Sequence, residues 1–283
     1  MTSRPARWPR LLRSIGLALA IPCLGLLAAA TLFLDAFIFF PSGPGEWGAA
    51  RGSRFPVEEV PLSTPDGEAL VCWHLRVPSP RATLLFFHGN AGNLTHRLDA
   101  LETLGGIGVD AFLLGYRGYG RSTGRPSERG LYVDAETAHR HLTGKAGVPA
   151  DRLVLLGESL GCAVAIDLAT KRPCAGLVLQ SPFASVREMA TQVLPFPPIR
   201  WIVPRKFDNL GKIGSIAAPK LFLASRRDEI VPWRQTRALF EAAKGEKTWV
   251  EFDDAGHNEL FLLHRGEWAE AIARFVGCAC PDR

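Results

Sequence analysis

An α/β fold with a mainly parallel central sheet, helices on both faces and a short lid is predicted for residues 57–283 by three observations. Short apolar runs of strand length alternate with helical patterns along this stretch. The first two runs are joined by Thr64-Pro65-Asp66-Gly67, a turn that closes an opening hairpin. A glycine-flanked serine, in Gly157-Glu158-Ser159-Leu160-Gly161, falls where a strand pattern gives way to a helical one. With 283 residues, 47% of them hydrophobic, the chain has enough material for one large domain and a short extra segment.

The extra segment comes first. Arg4, Arg7, Arg10 and Arg13 precede 21 uncharged residues, Ser14 to Leu34, and Phe37-Ile38-Phe39-Phe40 prolongs the apolar character past Asp35. At about 1.5 Å per residue this run crosses a hydrocarbon core of roughly 30 Å. Residues 1–40 are therefore expected to form an uncleaved signal anchor, a single transmembrane helix with the arginines on the cytoplasmic side and the body on the extracytoplasmic or periplasmic side. The competing reading is a secretory signal peptide cleaved near Ala28-Ala29-Ala30, which would release the body. Pro22 disfavours lipoprotein processing at Cys23. Residues 41–56, opening with Pro41-Ser42-Gly43-Pro44-Gly45, read as a linker.

In the body, Val57–Leu62 and Ala69–Val77 form the hairpin and Ala82–Phe87 is a buried strand, followed by a helix around Leu94–Leu104. A strand at Val109–Leu114 and a helix at Ser127–Leu142 come next. Arg152–Leu156 runs straight into a helix, Leu160–Lys171. Gly176–Leu179 and Lys220–Ala224 are strands separated by a Pro- and aromatic-rich stretch. Trp233–Ala243 is helical, Thr248–Phe252 a strand, and Glu259–Val276 a closing amphipathic helix. The net charge of +5 is concentrated at the N-terminus: beyond residue 40 there are 29 basic and 27 acidic residues, a net of +2. That balance argues against a nucleic-acid partner. Cys23, Cys72, Cys162, Cys174, Cys278 and Cys280 form no C-x-x-C pair and no zinc-spaced cluster, so no metal is expected.

A serine at a strand-to-helix junction is held in a strained turn that lifts its hydroxyl into the open above a helix N-terminus. The glycines on either side let strand and helix approach each other. Ser159 is thus the candidate nucleophile. It needs a histidine to take its proton and a carboxylate to orient that histidine. In the hydrolase chain order an acid follows, then a histidine after the last strand. Asp228 lies beyond Lys220–Ala224, and His257 beyond Thr248–Phe252, in Asp253-Asp254-Ala255-Gly256-His257-Asn258. Glu229 is the runner-up acid; Asp253 and Asp254 are read as surface turns. The oxyanion donors are the backbone amides of Leu160, which follows the nucleophile, and Asn90, in His88-Gly89-Asn90-Ala91-Gly92-Asn93. His88 is read as a structural histidine holding that loop. His74, His96, His139, His141 and His264 are surface or packing residues. Asn93-Leu94-Thr95 is formally a glycosylation sequon, expected to be inert.

Taken together, Phe87-His88-Gly89-Asn90-Ala91-Gly92-Asn93, Tyr116-Arg117-Gly118-Tyr119-Gly120-Arg121-Ser122, the Ser159 motif, Asp228-Glu229-Ile230-Val231-Pro232 and Gly256-His257-Asn258 resemble the Bem46-like α/β hydrolases. That group includes the ABHD13-type and ABHD17-type proteins of animals. The likeness covers almost the whole body, and Phe39-Phe40-Pro41-Ser42 is similar to that family's exit from its membrane segment. It implies an α/β-hydrolase fold and a serine hydrolase acting on ester or thioester bonds with no cofactor. Ser225-Arg226-Arg227 departs from the Gly-rich turn usual before the acid.

The lid, about residues 182–218, carries Phe196, Trp201 and Phe207 among several prolines and is too short for a large cap. Its aromatics either line an acyl site or pack the segment down. The expected substrate is a small-molecule or lipid acyl ester. The alternatives are a peptidase on the same residues, or a non-catalytic membrane-tethered binding protein.

Overall fold

The computed structural model describes residues 34–46, 48, 53–193 and 199–281, together with Ala18, Pro22, Cys23 and Gly25. Most of the apolar N-terminal run lies outside the described residues. Among the described residues no helix is long and apolar enough to cross a membrane.

Ten strands form among the described residues. They are β1 (Phe40–Pro41), β2 (Val57–Ser63), β3 (Ala69–Leu75), β4 (Thr83–Phe87), β5 (Ala91–Gly92), β6 (Asp110–Leu114), β7 (Leu153–Glu158), β8 (Gly176–Gln180), β9 (Lys220–Ser225) and β10 (Lys247–Phe252). Eight of them build one sheet in the order β10-β9-β8-β7-β4-β6-β3-β2. Within it only the pairings β2–β3 and β3–β6 are antiparallel. The interior strands are buried on both faces, which is why they read as continuous apolar runs.

Alternate residues of these strands feed two cores. Leu85, Phe87, Leu153, Leu155, Leu177 and Leu179 face helices α2 (Glu128–Arg140), α3 (Leu160–Ala169) and α7 (Trp233–Ala242). Leu84, Phe86, Val154, Leu156 and Val178 face α1 (Leu98–Gly106) and the last helix, Arg265–Ala279. The lid contributes α4 (Val186–Val193), α5 (Ile199–Ile202) and α6 (Asn209–Ile213).

Three details differ from the sequence expectation. The closing helix is two helices, α8 (Leu260–Leu263) and α9 (Arg265–Ala279), broken at His264. The His264 ring lies between Asp254, at 2.7 Å, and Glu267, at 3.4 Å. The helix after β6 ends at Arg140 and gives way to a π-helical turn, His141–Lys145. The stretch read as a linker begins as a strand: β1 pairs in parallel with β5, Phe40 opposite Ala91 and Pro41 opposite Gly92.

Candidate active site

The connections leaving the carboxyl ends of the parallel strands form one rim, the usual position for sites in open α/β sheets. Ser159 leaves β7 there with φ 51° and ψ −112°, a strained conformation for a residue with a side chain. Two backbone bonds hold the turn: Ser159 N–H donates to Gln180 O (2.9 Å), and Cys162 N–H to Ser159 O (3.0 Å). The flanking glycines are required sterically. A methyl group on Gly161 would lie 1.9 Å from the Phe87 carbonyl oxygen, and one on Gly157 would lie 2.5 Å from Cys162 Cα.

Gly161→Ala is therefore expected to drive α3 away from β4, costing about 3 kcal/mol or more, and to carry Ser159 out of position. Gly266→Ala is the comparison, because a methyl group there meets nothing within 4 Å and helix propensity favours alanine. Thermal unfolding of the two variants checks this: G161A falls well below the parent and G266A does not.

The structure brings Ser159, His257 and Asp228 together. Ser159 Oγ is 3.0 Å from His257 Nε2, and His257 Nδ1 is 2.7 Å from Asp228 Oδ2. A carboxylate only accepts, so Nδ1 carries the proton and Nε2 is left as the acceptor for the serine hydroxyl. The side chains of His257 and Asp228 are almost fully buried, which shields the pair from water. Asp228 Oδ1 accepts from Ile230 N–H (3.0 Å) and Val231 N–H (2.6 Å), fixing the carboxylate.

Glu229 plays a different part, its Oε2 accepting from the His257 backbone N–H at 3.0 Å. Asp228 thus holds the ring and Glu229 the main chain. Ser225, part of the unusual Ser-Arg-Arg run, donates through its hydroxyl to Ala255 O, while Arg226 N–H donates to Phe252 O (2.9 Å). The run ties the acid loop to the histidine loop. Asp254 pairs with His264 and Asp253 with Arg226, both away from the His257 ring.

Leu160 is the first residue of α3, so its N–H has no intrahelical carbonyl to meet. Asn90 lies on the loop after β4, and that loop is held from several directions. His88 is fully buried, its Nδ1 donates to Gly89 O (2.8 Å), and its ring packs 4.3 Å from that of Tyr116. Tyr116 Oη donates to His88 O (3.1 Å) and Tyr119 Oη to Asn90 O (2.8 Å). Arg117, between these tyrosines, is clamped by Asp66 (2.7 Å) and Asp134 (2.8 Å). The Tyr-Arg-Gly-Tyr motif is therefore a brace for the loop carrying Asn90. Asn93 is also buried, its side-chain oxygen taken by Thr95 N–H (3.0 Å), which leaves the sequon no room for a glycan.

Burial, with Arg97 adding to it, pushes the His88 ring down from its ordinary 6.5 to about 3. A histidine depressed in the folded state contributes stability that is complete above its unfolded value and is lost as the pH falls toward the folded one. Below about pH 6.5 the protein is expected to lose about 1.4 kcal/mol per pH unit through this residue. Urea unfolding at pH 7, 5.5 and 4.5 checks this, with His88→Gln flattening the acid limb.

Sequence reasoning missed one pair next to Ser159. Glu158, the residue before Ser159, accepts from Arg97 Nε (2.8 Å) and Nη2 (2.9 Å), with only a fraction of either side chain exposed. Burial alone would raise the Glu158 carboxyl, but the Arg97 guanidinium outweighs it and holds the group below its ordinary value. A cavity of about 210 Å³ opens beside this pair, lined by Phe86, Glu158, Gln180, His257, Phe261 and Trp268. A larger cavity, about 640 Å³, runs along α2 from Asp66 to Arg172 and includes none of Ser159, Asp228 and His257. The smaller one is the cavity that borders His257. In the lid, Phe207 is buried against Phe39, Tyr132 and Phe183, so it packs the segment down. Trp201 is 80% exposed, and Phe196 lies outside the described residues. Among the described residues no group of His, Cys, Asp and Glu could hold a metal ion.

Comparison with known proteins shows what the chain as a whole is similar to. The family described as serine aminopeptidase, S33, matches residues 78–211, a span that contains Asn90 and Ser159 but not Asp228 or His257. The chain is similar to an uncharacterized protein, Rv2307c, of Mycobacterium tuberculosis, with 37% identity over 84% of this chain and 85% of that one. It is also similar to the α/β hydrolase domain-containing protein WAV2 of Arabidopsis thaliana, 31% identical over 92% of this chain and 94% of that one. Among solved structures, the Pyrococcus furiosus esterase Pf2001 aligns with a TM-score of 0.70 and 18% identity, covering 86% of this chain and 98% of its own. An acetyl xylan esterase from Paenibacillus sp. R4 aligns with a TM-score of 0.63 and 18% identity, over 82% and 86% of the two chains.

Proposed function

Because the chain belongs to the α/β hydrolase family, we propose that it is a serine hydrolase that cleaves carboxylic ester or thioester bonds through an acyl-enzyme. The observation that carries this reading is the relay Ser159 Oγ to His257 Nε2 to Asp228 Oδ2, at 3.0 and 2.7 Å, at the open N-terminus of α3. Ser159 Oγ attacks the acyl carbonyl carbon while its proton passes to His257 Nε2. The oxyanion so formed is stabilised by the Leu160 and Asn90 amides. Collapse breaks the bond to the alcohol or thiol, which leaves with the proton from His257. Water, deprotonated by the same nitrogen, then releases the acid and restores Ser159. No cofactor enters these steps.

The finer reading is a Bem46-like enzyme anchored by residues 1–40, its body on the extracytoplasmic side, acting on lipid or acyl-modified substrates. Secretion after cleavage is the other localisation to test. The distribution of apolar surface supports a lipid-facing site. Among the described residues the exposed large apolar side chains are Phe37, Phe40, Val193, Trp201, Ile230, Leu262 and Leu263. Val193 and Trp201 follow β8, Ile230 follows β9, and Leu262 and Leu263 follow β10. Phe40 opens β1, whose partner β5 follows β4, and Phe37 lies in the helical residues just before it. Of these, Leu262 lines the cavity beside His257 and Glu158, and Ile230 donates its N–H to Asp228. Scattered apolar residues on a surface are ordinary, so the support comes from those that stand beside the site.

The test is a p-nitrophenyl ester series of increasing chain length, run alongside labelling by a fluorophosphonate probe. Labelled wild type with turnover rising over the longer esters supports the reading. An unlabelled protein refutes serine catalysis, and cleavage of aminoacyl amides in preference to esters establishes the peptidase instead. Accessibility of an epitope on the body in intact cells decides topology.

A further inference from the structure

We propose that the strand Phe40–Pro41 positions the oxyanion loop, so that the stretch joining the apolar N-terminal run to the body is part of the catalytic apparatus. This rests on the roles proposed above for Ser159 and Asn90. The contacts converge on one residue. Phe40 N–H donates to Asn90 O (2.9 Å), and Asn90 Nδ2 donates back to Ile38 O (3.0 Å). Two residues on, Ser42 N–H donates to Gly92 O (3.0 Å), and Ser42 O accepts from Gly120 N–H (2.9 Å).

Asn90 is thus held through its side chain by Ile38 and through its carbonyl by Phe40, which shares that oxygen with Tyr119 Oη. The Gly89 carbonyl belongs to the same peptide plane as the Asn90 N–H and is fixed by His88. In a trans peptide the two groups point in opposite directions, so anchoring one side aims the other. His88 sets the plane before Asn90 and Phe40 the plane after it. The strand is itself docked: Phe39 is buried with its ring edge-on to Phe207, 6.2 Å between centroids, and Asp35 pairs with Lys206 of the lid. The Phe40 ring is half exposed, so its contribution comes through the backbone.

An oxyanion donor acts only when aimed at about 2.7–3.1 Å from the developing charge, and losing one costs on the order of 10²–10³ in kcat. Releasing Asn90 from the strand is therefore expected to lower kcat while leaving ground-state binding, and hence KM, nearly unchanged.

The test compares full-length wild type, Phe40→Pro, Phe40→Ala and Ser159→Ala in detergent micelles. F40P removes the N–H that reaches Asn90 O, whereas F40A keeps it. Measured are kcat and KM for a p-nitrophenyl ester, the rate of fluorophosphonate labelling and the thermal unfolding midpoint. The expected result is a loss of kcat in folded F40P exceeding that in F40A by at least about tenfold, with KM within about twofold and labelling slowed in parallel. A smaller difference, or a change confined to KM, overturns the proposal. If F40P does not fold, Ser42→Pro removes the neighbouring donor to Gly92 O and is read by the same criteria. Labelling of S159A would defeat the assignment of the nucleophile itself. An unlabelled S159A with an unaffected F40P defeats only the role of the strand.

Discussion

Replacing Ser159 with alanine is expected to lower kcat for ester hydrolysis by about 10⁵–10⁶-fold and to abolish fluorophosphonate labelling. At 1.36 kcal/mol per factor of ten, the larger figure corresponds to about 8 kcal/mol of transition-state stabilisation. The loss is that large because the covalent route disappears entirely: His257 keeps its geometry but has no hydroxyl to deprotonate. The fold is expected to survive. Ser159 occupies its unusual backbone conformation through N–H and C=O bonds to Gln180 and Cys162, which alanine retains. Unfolding of S159A near the wild-type midpoint, with esterase activity at background, is the outcome to look for. Retained activity would mean that another residue is the nucleophile.

Asp228→Asn is expected to cost about 10⁴-fold in kcat, the size seen when an orienting carboxylate becomes an amide. The structure determines why the amide fails. Ile230 and Val231 both point N–H donors at Oδ1, so the oxygen of the new side chain must occupy that position. Its NH₂ group is then forced to the Oδ2 position, facing His257 Nδ1. Two donors cannot share a hydrogen bond, so the imidazole must carry its proton on Nε2, where it blocks Ser159. Glu229→Gln makes the contrast. Glutamine still offers an oxygen to the His257 backbone N–H, and only the charge assistance, about 1 kcal/mol or fivefold, is lost. Steady-state kinetics of the two variants separate the acids by about three orders of magnitude. Equal losses would show that the carboxylates share one role.

The parts of the molecule legible in the sequence are those encoded locally. Ser159 and Asp228 follow strands that read as apolar runs, His257 follows the mixed pattern Thr248–Phe252, and the chain order supplies the rest. The helix break at His264 was invisible because the amphipathic spacing runs straight through it; Asp254 and Glu267, the partners of its ring, lie on either side of the break. β1 was invisible for a different reason. Two residues show no period, and their partner lies some fifty positions away on a loop. The Arg97–Glu158 pair joins residues 61 positions apart, so no spacing announces it. The division of labour between Asp228 and Glu229 depends on which carboxylate faces a ring and which faces a backbone amide. Adjacent acidic residues carry no mark of that in one dimension.

The acid loop and the histidine loop are stapled to each other by Ser225 to Ala255, Arg226 to Phe252 and Glu229 to His257, and both hang from the outermost strand pair, β9 and β10. The serine stands instead on β7, in the middle of the sheet. Sheet margins open at lower free energy than sheet centres, in contiguous cooperative units. His257 and Asp228 are therefore expected to open as one unit and Ser159 as part of another. Amide exchange at Ile230, Val231 and His257 would rise together on mild heating while the amides around Ser159 stayed closed. The enzyme would fall silent reversibly, by parting its proton relay, at temperatures where its globule is still intact.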